Sequence, residues 1–153
     1  MNLIDDIGWL LLSDLQENAR LPFAELGRRV GLSLPAVAER VRRMEDSGII
    51  LGYRAELDFD KIGLPILVFI QLQTEAKHYP RLERLVASMP EVLECHHVTG
   101  VHSFMIKAAV NSKGHLAAAI AKLSPFGPTT TSLILATPVR HQVVEKPRDE
   151  ASQ

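Results

Sequence analysis

The chain has 153 residues, 46% of them hydrophobic and 23% charged, with a formal net charge of -1, which is enough to bury a core as one medium domain or two small ones. No apolar run is long enough to span a bilayer and the start, M-N-L-I-D-D, lacks the basic residues of an export signal, so a cytoplasmic location is expected. The single cysteine, Cys95, can form no internal disulfide and lacks the spaced partners of a structural zinc site.

Residues 4 to 19 place Ile4, Ile7, Leu11 and Leu15 at helical spacing, with Leu10 and Leu12 beside them, which predicts an amphipathic first helix. Gly8 lies inside it at a cost of about 1 kcal/mol relative to alanine, so the first turn is expected to be frayed or closely packed. Trp9 reads as a packing or interface residue. The next segment, Arg28 to Tyr53, is the most informative. Gly31 can take positive φ and end the helix that carries Ala24, Leu26, Arg28 and Val30. Ser33 then stands where an N-cap belongs, and Pro35 is tolerated because the first amides of a helix lack helical partners. A helix beginning at Leu34 would put Leu34, Val37, Val41 and Met44 on its inner side. Pro35, Ala36, Glu39, Arg42 and Arg43 would face outward, with Arg40 on the flank, and Gly48 is the expected stop.

Glu39 and Arg43 are four apart, so an ordinary solvated ion pair accounts for part of this pattern. The distribution of charge goes further. Between residues 20 and 54 stand seven arginines (20, 28, 29, 40, 42, 43 and 54) against Glu25, Glu39, Glu45 and Asp46, a balance of +3 that leaves -4 for the remainder. Positive charge concentrated on a helix, glycine turn and helix is what neutralisation of DNA phosphates requires. Phosphate contacts are expected from Arg28, Arg29, Arg42 and Arg54, while Pro35, Ala36, Glu39, Arg40 and Arg43 approach base edges, with Ser33 counted among the DNA-binding residues.

Residues 49 to 58 turn to a more extended pattern, read as a short strand or wing, and Asp60 to Pro65 forms a hinge. Ile66 to Thr74 is an apolar run rich in β-branched and aromatic residues, predicted as a buried strand. A helix over Tyr79 to Met89 follows, with Leu82, Leu85 and Val86 inward. Strands Val92 to Thr99 and Ser103 to Val110 join across Gly100, and Ser112 to Leu123 is a further helix. Thr131 to Thr137 is the last predicted strand. The order βαββαβ implies an α+β, ferredoxin-like antiparallel sheet with two helices on one face. Leu67 and Phe69 make the first strand apolar on its other face too, which predicts that a second copy covers the sheet. Such a dimer would suit half-sites about 34 Å apart on duplex DNA, or a multiple of that spacing. The expected division is therefore 1–58 for DNA binding, 59–65 as hinge, 66–144 for dimerisation and effector binding, and 145–153 as a disordered tail.

Specific stretches carry a resemblance over about Ile4 to Arg140: N-A-R closing the first helix, A-E-L-G-R-R-V-G-L-S, E-R-V-R-R-M-E-D-S-G-I-I-L-G-Y, G-L-P before the first strand, and E-C-H-H-V-T-G before the hairpin. In these the chain resembles the Lrp/AsnC, or feast/famine, regulators. The resemblance implies a winged helix-turn-helix, a domain that dimerises and senses small molecules, and dimers assembled into rings, commonly octamers, that bend or wrap DNA. It also locates an effector region at Gly100, Val101, His102 and Ser103, with Thr129, Thr130 and Thr131 near the last strand. Amino-acid-binding members usually carry an acidic G-D-Y-D type hairpin where this chain reads Gly100, Val101, His102, Ser103, Phe104. Without those carboxylates an ammonium would meet only backbone carbonyls, the Ser103 hydroxyl and His102. An atypical or absent amino-acid response follows, nearer an architectural DNA binder.

No metal or cofactor is expected, since His96 and His97 should point to opposite faces of a regular strand and His102 lies past the turn. Sirohaem decarboxylases are similar to this family across both domains. An enzyme of that kind would gather basic and histidine side chains in the sheet domain. Here the predicted strand S-F-M-I-K-A-A-V offers one lysine and no histidine, so no catalytic role is expected.

Overall fold

A computed structural model describes residues 4–147. They form two compact units: residues up to Ala55 together with those from Val139 onward, and Glu56–Pro138.

The first unit opens with α1, Asp6–Glu17. Asp5 caps it by accepting the Gly8 amide at 2.8 Å, and Gly8 is buried, so the first turn is closely packed rather than frayed. Helix α2, Phe23–Val30, ends at Gly31, whose φ of 71° supplies the left-handed cap. The chain then doubles back so tightly that a Cβ on Gly27 would lie 2.5 Å from the Leu32 carbonyl oxygen, while the Leu32 amide donates to the Gly27 carbonyl at 2.9 Å. Helix α3, Leu34–Asp46, follows directly. Its end is closed by the amides of Ile49 and Ile50, both donating to the Met44 carbonyl past Gly48.

Leu11, Leu15, Leu26, Val37, Val41 and Met44 make the core of this unit. Two expectations need correction. Leu34 is 52% exposed, because as the first helical residue it lies ahead of the core that Val37 begins. Residues 49–58, expected as a strand or wing, form no strand, and among the described residues no strand pairs with them. A segment without a neighbouring strand has no reason to settle as sheet.

The chain's last described stretch belongs to the same unit. The Gln16 side-chain amide donates to the Val144 carbonyl at 3.2 Å, the Val144 amide donates back to the Gln16 Oε1 at 2.9 Å, and Lys146 pairs with Asp6 at 2.7 Å. Of the tail expected to be disordered, 148–153 lie outside the described residues.

The second unit follows the expected order: β1 Ile66–Leu72, α4 Tyr79–Ser88, β2 Val92–His97, β3 Phe104–Val110, α5 Lys113–Leu123 and β4 Thr129–Leu133. The sheet runs β2-β3-β1-β4, antiparallel throughout. Val68, Ile70, Leu72, Phe104, Ile106 and Ala108 bury one face against Leu82, Val86, Ala119 and Leu123. The alternate positions Leu67, Phe69 and Gln71 pair in register with Ala109, Lys107 and Met105, and carry no helix. The last strand starts two residues earlier than Thr131 and ends at Leu133 rather than Thr137. The reason is register: Leu72 pairs with Thr129 and Val68 with Leu133, so β1 runs out of partners soon after, and Leu135 is 93% exposed.

Candidate nucleic-acid interface

The outer side of α3 presents Leu34, Pro35, Arg42 and Arg43 to solvent, with Ala36 and Glu39 half-buried. Burial of Val37, Val41 and Met44 turns the opposite side of α3 outward. Ser33 occupies the N-cap position but its hydroxyl caps nothing; its carbonyl takes the Val37 amide instead. The side-chain cap read from the sequence is thus absent, which leaves the hydroxyl and the first amides of α3 for another acceptor or donor.

The arginines are held by local carboxylates. Glu39 accepts from Arg43 Nε at 2.8 Å and from Arg42 through both its Nε and Nη2, and Arg42 also reaches Asp46 at 2.9 Å. Donation from Arg43 and then Arg42 holds the Glu39 carboxyl below the usual carboxylate range. Arg29 bridges Asp14 at 2.7 Å and Glu25 at 3.2 Å, and Arg28 pairs with Glu25. Arg54 is exposed on the irregular segment after α3, which Tyr53 ties down by donating its hydroxyl to Glu45 at 2.8 Å. Burial, and then that bond, pushes the Tyr53 phenol up to about 12.

Arg40 behaves differently from its neighbours. Expected to approach base edges, it is only 18% exposed and turns its guanidinium to the Asp5 carboxylate, Nη1 to Oδ1 at 2.9 Å and Nη2 to Oδ2 at 3.0 Å. Nothing in the local sequence could reveal this contact, which spans 35 positions.

The expected effector residues gather at one end of the sheet, around Leu72 to Thr74. The Ser103 amide donates to the Leu72 carbonyl at 2.9 Å, and the Ser103 hydroxyl donates to the Thr74 carbonyl at 2.9 Å while accepting the Thr74 amide. That hydroxyl is therefore occupied within the fold. Thr129, Thr130 and Thr131 pair with Leu72, Gln71 and Ile70 on the other side of β1. Gly100 has a φ of 115°, Val101 is 75% exposed, and His102 is half-buried. A groove of about 520 Å³ between α4 and β2, floored by Val86, Met89, Val92 and Phe104, includes none of these residues.

The two adjacent histidines take opposite faces. The His97 ring meets Tyr79 and stacks on Phe104 at 5.0 Å, whereas His96 lies against Glu94 at 3.2 Å. Among the described residues no group of three or more histidine, cysteine or acidic side chains is arranged to hold a metal ion.

A helix-turn-helix whose second helix turns arginines outward, followed by a ferredoxin-like unit with its two helices on one sheet face, defines a two-domain DNA-binding regulator. Residues 4–45 match the AsnC-type helix-turn-helix domain and residues 67–144 the Lrp/AsnC ligand binding domain. The Bacillus subtilis HTH-type transcriptional regulator YezC is 37% identical over 139 residues, covering 90% of this chain and 98% of YezC. The solved structure of B. subtilis LrpC aligns with a TM-score of 0.84 at 31% identity, covering 90% of this chain and 99% of that one. A Neisseria meningitidis transcriptional regulator in complex with L-Met aligns with a TM-score of 0.85 at 26% identity, covering 92% and 96%. The chain belongs to the Lrp/AsnC family of transcriptional regulators and is a DNA-binding protein of that type.

Proposed function

We propose that α3 is the helix that enters the major groove, with Arg43 and the exposed first turn reading bases and Arg28, Arg29, Arg42 and Arg54 positioning the unit on phosphates. The observation that carries this is the outward face of α3, where two arginines and the small or apolar Leu34, Pro35 and Ala36 stand together. An arginine fork matches O6 and N7 of guanine, and apolar side chains suit a thymine methyl. Leu34 joins the base-facing group for the same reason. Ser33, with its uncommitted hydroxyl, and Arg28, Arg29, Arg42 and Arg54 serve the backbone. Glu39 is the internal counterion that Arg42 and Arg43 leave when they engage DNA.

The working unit is a dimer closed over Leu67 and Phe69, further assembled into rings. Its apolar sheet face and the family's assembly support this reading. It acts without catalysis, in the cytoplasm where the chromosome is. The L-Met complex of the Neisseria relative supports a small-molecule effector in the family. In this chain the missing hairpin carboxylates and the occupied Ser103 hydroxyl argue for an altered or absent amino-acid response. Titration calorimetry with a panel of amino acids tests that part, and tight binding of any common one would overturn it.

The DNA assignment is tested by binding of Arg43→Ala and Arg29→Ala to operator and scrambled duplexes. Arg43→Ala should lose about 5- to 150-fold on operator alone, the equivalent of one bidentate base contact. Arg29→Ala should weaken both duplexes alike and lower the salt slope by about one. Equal losses for both variants on both duplexes would remove Arg43 from base reading.

A further inference from the structure

We infer that Asp5 and Arg40 form a clasp that sets how α3 is presented to DNA, so that Arg40 is a positioning residue and not a base reader. This rests on the assignment of α3 as the groove helix. One carboxylate serves two helices. Asp5 Oδ1 accepts the Gly8 amide, which starts α1, and also Nη1 of Arg40, while Oδ2 takes Nη2. Arg40 lies midway along α3, one residue before Val41 of the core and on the flank between the buried stripe and the outer face. Two parallel bonds between planar groups fix direction as well as distance, which a single ammonium contact does not. The helix start of α1 and the middle of α3 are therefore tied at the same point. Val37, Val41 and Met44 limit rotation of α3 through apolar packing alone, and such packing tolerates small slides. The clasp removes that freedom.

Its consequence for recognition is specific. A positioning contact changes the fraction of molecules ready to bind any duplex, so its loss scales all affinities together and leaves the preference among sequences intact. A base contact does the opposite.

The test uses the full chain and four variants: Asp5→Asn, which keeps an oxygen for the Gly8 cap, Arg40→Gln, Arg40→Lys, and the Asp5→Asn/Arg40→Gln double variant. Affinities for operator and scrambled duplexes are measured well below each variant's melting temperature, with circular dichroism confirming the helices. Each single change should weaken both duplexes by the same factor, about three- to tenfold, and the double variant should be no weaker than Arg40→Gln, as for two halves of one contact. Arg40→Lys, which keeps the charge and stem but not the fork, should fall with Arg40→Gln, and it carries the test if Arg40→Gln does not fold. Collapse of the operator-to-scrambled ratio in either Arg40 variant, with Asp5→Asn unchanged, would make Arg40 a base reader. Losses that multiply in the double variant would refute a shared contact. Arg43→Ala in the same series keeps the two ideas apart: an intact ratio there sinks base reading by α3, whereas the clasp stands or falls on the Asp5 and Arg40 comparison.

Discussion

Gly27→Ala should disable the helical unit through one added carbon. The new Cβ would sit 2.5 Å from the Leu32 carbonyl oxygen, a backbone atom with no rotamer to change, so the turn between α2 and α3 must move. Overpacking of this kind costs about 1–3 kcal/mol. Moving the turn also strains the 2.9 Å bond from the Leu32 amide to the Gly27 carbonyl, worth about 0.5–1.5 kcal/mol. Against these stands the better helix propensity of alanine, about 1 kcal/mol. The net destabilisation is roughly 1–3 kcal/mol, or a fall of roughly 5–20 °C in the melting of a unit this small. Trp9, the single tryptophan and part of α1, reports that transition by fluorescence. Because the start of α3 is displaced, operator affinity should drop even at temperatures where the variant is folded. Gly31→Ala supplies the contrast: among the described residues nothing beyond its chain neighbours lies within 4 Å of a Cβ there, but φ is +71°, so it should lose about 1–2 kcal/mol of stability with operator affinity unchanged. A Gly27→Ala protein that melts at or above the parent temperature would refute the close-approach argument.

Glu39→Gln should free Arg42 and Arg43 from their internal partner, raising affinity for any duplex at low salt and steepening the logarithmic salt dependence by about one, as measured by fluorescence anisotropy across a salt series. A loss of affinity would instead make Glu39 a base contact in its own right. Tyrosinate absorbance should show one of the two tyrosines titrating near pH 12, and Tyr53→Phe should remove that step. The sign follows from the raised value: the folded state holds the phenol proton, so the Tyr53–Glu45 contact stabilises fully below the usual tyrosine value of about 10 and is lost as pH climbs through about 12. Phe69→Asp places a charge on the sheet face opposite the two helices, and analytical ultracentrifugation should then find monomer with both units still folded.

The five helices and four strands are legible because each buries one regular stripe, and Gly31 and Gly48 mark the ends of α2 and α3 by conformations few other residues adopt. The expected wing misled because alternation in Leu51, Tyr53 and Leu57 describes an extended chain, not a partner for it, and those side chains remain exposed. The last strand was displaced because its limits depend on where β1 starts and stops, which is a property of the pair. Counting arginines located the charged surface, but not which of them were committed. Asp14 on α1 holds Arg29, and Asp5 holds Arg40, through separations of 15 and 35 residues that no local pattern encodes. Spacing alone puts Leu34 on the core side of α3, but as the first helical residue it precedes the surface that Val37 buries.

The return of residues 139–147 to α1 means that the sheet body is, in chain order, an insert with two joins, at 55/56 and 138/139. A protease nick at the earlier join would leave its fragments tethered through the later one. Anyone exchanging sensor modules between relatives should therefore cut at both joins and keep the closing segment with the reader it fastens to, since a simple head-to-tail fusion would give Gln16 a stranger's ending.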